Sequence, residues 1–491
     1  MELHLIPWPE KLERSGGVCR ETRVQEREAT LENDEGYRLT IREDGVLLEG
    51  SERGRRMGRQ TLAQLRAQFG DALPCLRIED APRFAWRGWL LDVSRHFMPV
   101  EDILKLIDAA AMFKLNVMHW HLVDDQAWRL DLPDLPELTR VGARRGRVHF
   151  GDLPEPEETF DYYTREDVRR VIAYAAERGM DVMPEIEVPG HESALLAAYP
   201  EAGCGVEPSQ VQLRGGIFDS LICAGKPESR RLLSRILREV TELFPAGVIH
   251  IGGDEACKRR WRMCPDCQRV IREKGLKDEN ELQQALMDSV REELAAQGKR
   301  SVVWNESLRG GTLNPDFIVQ AWHGDQALTE DFAAKGGKII QSSTQAFYLD
   351  YPYATTDVGT IQRFEVCPDA WSDQAKRAVL GVECALWAER VPDLKTAAYL
   401  LFPRLPAVAE TAWTAPDARR DATFAERFAG LAPELESRGL HGAPREKWYM
   451  DEETRRADRA AYEAVVNTPE NLAACQHDRE LMAEEKRRYG V

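Results

Sequence analysis

Between Trp86 and Trp413, eight short apolar runs alternate with amphipathic helices, and seven of the eight runs end in polar or aromatic residues. The first 80 residues read differently, as short alternating segments around one helix, and the last stretch is charged and helical in pattern. Together these predict an α/β fold: a (β/α)₈ TIM barrel preceded by a small α+β domain and followed by a helical C-terminal tail. The expected division is 1–80 for the accessory domain, 81–440 for the barrel and 441–491 for the tail.

In the N-terminal part, Tyr37–Ile41 and Gly45–Leu48 alternate as strands do, Asp44-Gly45 supplies a turn, and Met57–Phe69 has helical spacing. Ile78–Pro82 is the expected linker. The barrel strands are then expected at Trp89–Val93, Asn116–Val123, Asp181–Val188, Val248–Gly253, Ser301–Trp304, Phe317–Trp322, Lys338–Gln341 and Gly381–Trp387. Helices are expected over Val100–Phe113, Arg165–Arg178, Glu228–Leu243, Glu279–Gln297 and Thr396–Trp413. Residues 348–379 are aromatic and turn-rich, which predicts a long loop in place of a clear seventh helix.

Composition narrows the function. The chain has 491 residues, 43% apolar and 30% charged, with a formal charge of −17. This acidity argues against nucleic acid or an anionic membrane as partner. The N-terminus lacks a basic segment followed by an apolar one, and no stretch approaches about 18 uninterrupted apolar residues, so the expected location is cytoplasmic. A homodimer is one possible assembly for the tail to support.

The most informative stretch is His250-Ile-Gly-Gly-Asp-Glu255. An apolar approach breaks into two glycines and then two adjacent acids. Adjacent acids on a strand point to opposite faces, and like charges this close resist joint ionisation. In a (β/α)₈ barrel, functional groups collect at the C-terminal strand ends. There the chain carries Ser94-Arg95-His96, His119-Trp-His121 with Asp124-Asp125, Glu185-Ile-Glu187 with Pro189-Gly-His191, Asp254-Glu255, Trp304-Asn-Glu306, Trp322-His323, Tyr348-Leu-Asp350 and Trp387-Ala-Glu389. Carboxylates bind hydroxyls and move protons, and aromatic faces stack on sugar C–H surfaces, so the set describes a carbohydrate site. His119 and His121 are expected to support the site from the barrel interior.

Five motifs, Leu91-Asp-Val-Ser-Arg-His-Phe97, His119-Trp-His-Leu-Val-Asp-Asp125, Pro184-Glu-Ile-Glu-Val-Pro-Gly-His191, His250–Glu255 and Phe402-Pro-Arg-Leu405, occur in this order. The constellation resembles glycoside hydrolase family 20, the β-N-acetylhexosaminidases, over about residues 60–440. The resemblance implies a retaining exo-β-N-acetylhexosaminidase that removes terminal β-linked GlcNAc or GalNAc from glycans. In such enzymes the substrate's own 2-acetamido oxygen attacks the anomeric carbon, giving an oxazolinium intermediate, an exception to the two-carboxylate schemes. By the same resemblance Glu255 is the general acid and base, Asp254 holds the acetamido N–H and Tyr348 donates to the acetamido oxygen. Trp304, Trp322 and Trp387 wall the pocket, Arg95 binds the O3 and O4 hydroxyls, Asp350 and Glu389 bind O4 and O6, and Asp124 with His191 forms a relay to Glu255. The chain departs from the family where Glu187 stands in place of the usual Asp.

No cofactor or metal is implied. Cys264-Pro-Asp-Cys267 has zinc-ribbon spacing with Cys257 as a third candidate thiolate, but no fourth ligand is evident nearby, so reduced structural thiols are expected. Two other readings stay open from the residues: a glycosidase with a covalent carboxylate nucleophile, and a sugar-binding barrel of the same fold without hydrolytic activity.

Overall fold

Residues 2–21, 23–151, 153–205, 207–311 and 313–489 are described in a computed structural model of the chain. The N-terminal sheet has five strands in the order Lys11–Cys19, Leu73–Asp80, Tyr37–Arg42, Gly45–Gly50, Val24–Glu28. Only the last pair is parallel. The helix Glu52–Phe69 starts at Ser51, whose hydroxyl accepts the Gly54 N–H, and buries Met57, Leu62 and Leu65. Gly58 lets it lie close to the sheet, because a Cβ there would sit 2.4 Å from Leu48 Cδ1.

The expected linker Ile78–Pro82 is corrected by this sheet. Ile78 and Asp80 belong to the strand Leu73–Asp80 and pair with Leu39 and Tyr37. Glu79-Asp80 gave the segment a loop-like polarity, but Asp80 is buried because it is an acceptor at the seam between sheet and barrel. It takes hydrogen bonds from Tyr37 Oη (2.8 Å), Lys114 Nζ (2.9 Å) and Trp413 Nε1 (3.0 Å).

The eight barrel strands are Trp86–Asp92, Val117–His121, Asp181–Glu185, Val248–His250, Arg300–Trp304, Ile318–Ala321, Lys338–Gln341 and Val379–Leu386. Each pairs in parallel with its sequence neighbour, and the eighth closes on the first from Gly381↔Trp86 to Leu386↔Leu91. Side chains alternate along each strand, which sorts the interior into layers. Trp86, Val117, Met183, Val302 and Ile318 form an apolar cluster apart from the one beneath the helices. Two residues further along four of these strands stand His119, Glu185, Trp304 and Gln320, and all are buried. The interior therefore passes from apolar to polar toward the C-terminal strand ends.

The expected helix Thr396–Trp413 is two helices, Leu394–Leu401 and Arg404–Trp413, separated at Phe402-Pro403. Proline has no N–H to donate and its ring blocks the preceding turn, so the second helix begins after it. The long loop 348–379 contains two short helices, Val358–Arg363 and Asp373–Ala378. The tail forms the helices Glu452–Val466 and Pro469–Tyr489. The last is tied to the loop after the fourth strand by Arg262–Glu485 (2.8 Å) and to the Glu279 helix by Tyr489 Oη (2.7 Å). No helix among the described residues is long and apolar enough to cross a membrane.

Candidate active site

The fourth strand ends after three residues, and its chain then turns through Gly252 (φ 64°) and Gly253 (φ 109°). Both positions require glycine. A Cβ on Gly252 would lie 1.8 Å from Glu187 Oε2, and one on Gly253 would lie 2.3 Å from Ser307 Oγ. The turn delivers Asp254 inward and Glu255 to the mouth. Glu255 itself holds φ 46°, and His191 holds φ 54°, left-handed conformations that are sparse outside glycine and cluster at functional sites. Pro189-Gly190 brings His191 against this turn, with a Cβ on Gly190 reaching 3.2 Å from Asp254 O.

A cavity of about 210 Å³ lies at the C-terminal strand ends. It is lined by Arg95, Asp124, His191, Asp254, Glu255, Trp322, Tyr348, Asp350, Trp387 and Glu389, ten of the eleven residues expected from sequence. The eleventh, Trp304, stands behind the wall: it is 1% exposed, its Nε1 donates to Glu185 Oε1 (2.8 Å), and its ring lies 6.1 Å from that of Trp387. His121, Glu187, Tyr351 and Arg390 also line the cavity. Sequence reasoning passed over Tyr351 and Arg390. Their signal was adjacency, since each follows an expected site residue, Asp350 and Glu389.

Beneath the cavity Glu185 is a hub for three histidines. It pairs with His250 Nδ1 (2.7 Å), His119 Nε2 (3.1 Å) and His121 Nδ1. Burial would raise its pKa, but the three rings outweigh burial and hold the carboxyl well below the usual range. Burial would likewise discharge the histidines and does prevail at His250, whose pKa is lowered, but the acids around the other two lift His119 to about 9 and His121 to about 10. Glu187, buried beside Glu185 and Asp254, is pushed well up.

Arg95 is locked by Asp124 (2.7 Å), Asp92 (3.1 Å) and Gln126 (2.8 Å), with its guanidinium 5.3 Å from the centre of the Trp387 ring. Asp124 also accepts from His121 Nε2 (2.9 Å) and faces His191 Nδ1 (3.3 Å), as does Asp125 (3.3 Å). On its other side His191 Nε2 stands 3.5 Å from Glu255 Oε2 and 3.8 Å from Asp254 Oδ2. Burial disfavours a charged His191, but Asp124 and the neighbouring acids Asp125 and Glu255 outweigh it, so its pKa is held well above the ordinary value. The ring thus stands between two pairs of acids, at the positions of the expected relay.

Asp254 is pushed up to about 8, chiefly by burial and further by Glu255 and Glu306. Burial beside Glu389 pushes Asp350 up to about 8 as well. Burial keeps the Tyr348 phenol well above its usual range, so it is a donor at neutral pH. Tyr348 is fixed by the hydrogen bonds of its flanking residues to Ala385 on the eighth strand (2.8 and 2.7 Å). Asp254 Oδ1, Asp350 Oδ1 and Trp322 Nε1 are buried without a hydrogen-bond partner among the described residues. So are Glu187 Oε2, His191 Nδ1, Trp387 Nε1 and Arg390 Nε, and because buried polar atoms are rarely left unpaired, such a concentration at one cavity marks groups aimed at a polar ligand.

The family model described as glycosyl hydrolase family 20, catalytic domain, matches residues 84–416, and the one described as domain 2 of the same family matches 2–81. The chain is 37% identical over 417 residues to a beta-hexosaminidase of Akkermansia muciniphila, covering 82% of this chain and 83% of that protein. Its fold is similar to a solved β-N-acetylhexosaminidase at TM-score 0.84 and 33% identity, covering 90% of this chain and 96% of the other. It is also similar, at TM-score 0.82 and 28% identity, to the exo-β-N-acetylglucosaminidase of Vibrio harveyi solved with N-acetylglucosamine, with coverage of 90% and 78%. The chain therefore belongs to glycosyl hydrolase family 20 and is a glycoside hydrolase.

Proposed function

We propose that the enzyme is a retaining exo-β-N-acetylhexosaminidase that uses the substrate's acetamido group as its nucleophile. The observation that carries this reading is the division of labour at one turn: Asp254 is buried beside the Tyr348 phenol, while Glu255 is partly open to solvent at the mouth. The cavity of about 210 Å³ falls below the ~300–1,000 Å³ usual for larger ligands, which suits one terminal sugar ring.

In the first step Glu255 gives its proton to the glycosidic oxygen as the C1–O bond breaks and the acetamido oxygen closes on C1. The acetamido N–H becomes acidic as the oxazolinium forms; the bound N–H and the growing positive charge favour the ionised form of Asp254 over the neutral form of the empty cavity, and that carboxylate accepts the N–H hydrogen bond and stabilises the charge. Tyr348 orients the acetamido oxygen by donating to it. In the second step the Glu255 carboxylate takes a proton from water, whose oxygen attacks C1 from the face the leaving group vacated as the C1–O bond to the acetamido oxygen breaks and the acetamide re-forms. Two inversions give net retention. The protonated His191 ring supports Glu255 when it is anionic. Arg95, Asp350 and Glu389 read the ring hydroxyls in this proposal, and Trp322 and Trp387, which line the same cavity, cover its faces.

The test is a series of aryl β-glucosaminides with N-acetyl, N-fluoroacetyl, N-difluoroacetyl and N-trifluoroacetyl groups. Each fluorine weakens the carbonyl oxygen as a nucleophile, so kcat/KM should fall steadily along the series. A rate indifferent to the 2-substituent would overturn the proposal in favour of an enzyme carboxylate as nucleophile, and binding of GlcNAc with no turnover would favour a sugar-binding barrel.

A further inference from the structure

Outside the cavity, four cysteines from two different loops converge on one point. Cys204 and Cys223 belong to the connection between the third strand and the helix Pro227–Leu243, and Cys264 and Cys267 to the start of the helix Pro265–Lys274 in the connection after the fourth strand. Their sulfur atoms all lie within 4.8 Å of one another. Three of the separations are 3.8 Å (204–267), 3.7 Å (223–264) and 3.6 Å (223–267). Four ligands about 2.3 Å from a central zinc ion have edges of about 3.8 Å, so the thiols already stand at the corners such an ion requires. Cys257, the third thiolate considered from sequence, is elsewhere, packed with Ile217 and Leu481. The missing ligands lie 41 and 60 residues before Cys264, too far for a spacing argument to find.

We infer that Cys204, Cys223, Cys264 and Cys267 form a structural zinc site that clamps together the two loops carrying the catalytic residues. The surroundings suit a tetrathiolate of net charge −2. Cys264 and Cys267 open the helix Pro265–Lys274, whose N-terminal end favours negative charge. Lys226 Nζ donates to Gly203 O (2.6 Å), and Arg269 Nη2 donates to Gly225 O (3.3 Å), so cations flank both Cys204 and Cys223. On binding, each thiol releases one proton, and the ion gains four sulfur ligands with no change in oxidation state. Four protein ligands leave no open position, which is the mark of a structural rather than a catalytic zinc.

The site connects directly to the catalytic loops. Ile222, next to Cys223, donates its N–H to Pro189 O (3.1 Å), two residues before His191, and accepts from Trp261 Nε1 (3.0 Å) with its carbonyl. Trp261 lies between Glu255 and Cys264 in the chain. A metal here would hold the His191 loop against the Asp254-Glu255 turn.

The experiment is metal analysis of the intact protein, purified without chelator after expression with added zinc, followed by release with a mercurial reagent and a zinc indicator dye. About one zinc per chain is expected, released in step with titration of four thiols. Cys223→Ser with Cys267→Ser should hold less than about one tenth of an equivalent, and Cys257→Ser should keep the full equivalent. Replacing zinc by cobalt should give the intense visible bands of a tetrahedral thiolate site, and stripping the metal should lower the melting temperature by several degrees. Less than one tenth of an equivalent in the wild-type protein, stoichiometric iron in place of zinc, disulfides among these four cysteines on non-reducing mass mapping, or full zinc retained in the double variant would each overturn the inference. Stoichiometry is read without any substrate, so this result and the fluoroacetyl series fail independently.

Discussion

Two buried aspartates, Asp80 at the domain seam and Asp254 in the cavity, are 5% and 9% exposed. Asp80 meets Tyr37, Lys114 and Trp413, and both of its oxygens accept. Lys114 Nζ in turn lies 4.3 Å from the Trp413 ring centre. Asp254 has one oxygen without a partner among the described residues, a cationic histidine beyond hydrogen-bond distance, and a second acid beside it. The seam completes its polar groups within the protein, as a buried charge must to be tolerated. The cavity leaves an oxygen of Asp254 unpaired, and on the proposed mechanism its partner is the acetamido group of the substrate. Full pairing within the protein marks Asp80 as an acid that holds the fold, and the proposed mechanism assigns the under-paired Asp254 to the chemistry.

Substitutions can break this contrast, and the largest effect is expected at Glu255. Glu255→Gln should lower kcat by about 10²–10⁴-fold on an aryl glycoside with a poor leaving group, and far less on a dinitrophenyl glycoside that needs no proton. Steady-state kinetics on the two substrates check this, and equal losses on both would remove the proton from Glu255's role. At the seam the opposite pattern is expected. Lys114→Met leaves Asp80 as an uncompensated buried charge and should destabilise the fold by about 3–5 kcal/mol, with kcat/KM of the folded fraction unchanged. Chemical denaturation paired with active-site titration separates the two quantities.

Asp254→Asn should lower kcat by about 10²–10³-fold through loss of charge stabilisation. The same variant sharpens the comparison through pH. Asp254 and Asp350 have native pKa values near 8, above those of an unfolded chain. Between about pH 4 and 8 the native state thus binds more protons than the unfolded one, and their contribution to stability falls as pH rises through that window. Asp254→Asn should flatten the decline and raise the melting temperature at pH 8 by roughly 1–3 °C, read by calorimetry from pH 5 to 8. A variant that melts lower than wild type at pH 8 would show that Asp254 supports the fold as Asp80 does. The smallest effect is expected at Trp322, whose Nε1 has no partner among the described residues. Trp322→Phe should leave stability unchanged and lower kcat/KM by about 2–10-fold, the value of one hydrogen bond.

Much of this was legible in advance, for local reasons. The short apolar runs from Trp86 to Leu386 located all eight barrel strands, because strands buried on both faces read as near-continuous apolar stretches. The two glycines before Asp254 signalled a turn that no other residue can make, and the space left by Glu187 and Ser307 explains why. Local signals failed where a partner lay far away. Glu79-Asp80 resembled a linker because the groups that pair with Asp80 come from residues 37, 114 and 413. The helix through Phe402-Pro403 was over-extended because the apolar periodicity runs on across the proline. Trp304 packs with Tyr348, Trp322 and Trp387, while its indole N–H is drawn to Glu185 in the polar layer beneath the cavity, a partner from another strand.

What the chain determined by itself is the set of elements and the inventory of chemistry at their ends, since both follow from periodicity, turn residues and side-chain type over a few neighbours. What only the tertiary structure decided is which of those groups meet. Closing eight strands into a ring sets Glu185 among three histidines, His191 between two pairs of acids, and Cys204 and Cys223 against Cys264 and Cys267. Those distances depend on barrel closure and loop packing, which couple residues tens to hundreds of positions apart, and no local pattern encodes them.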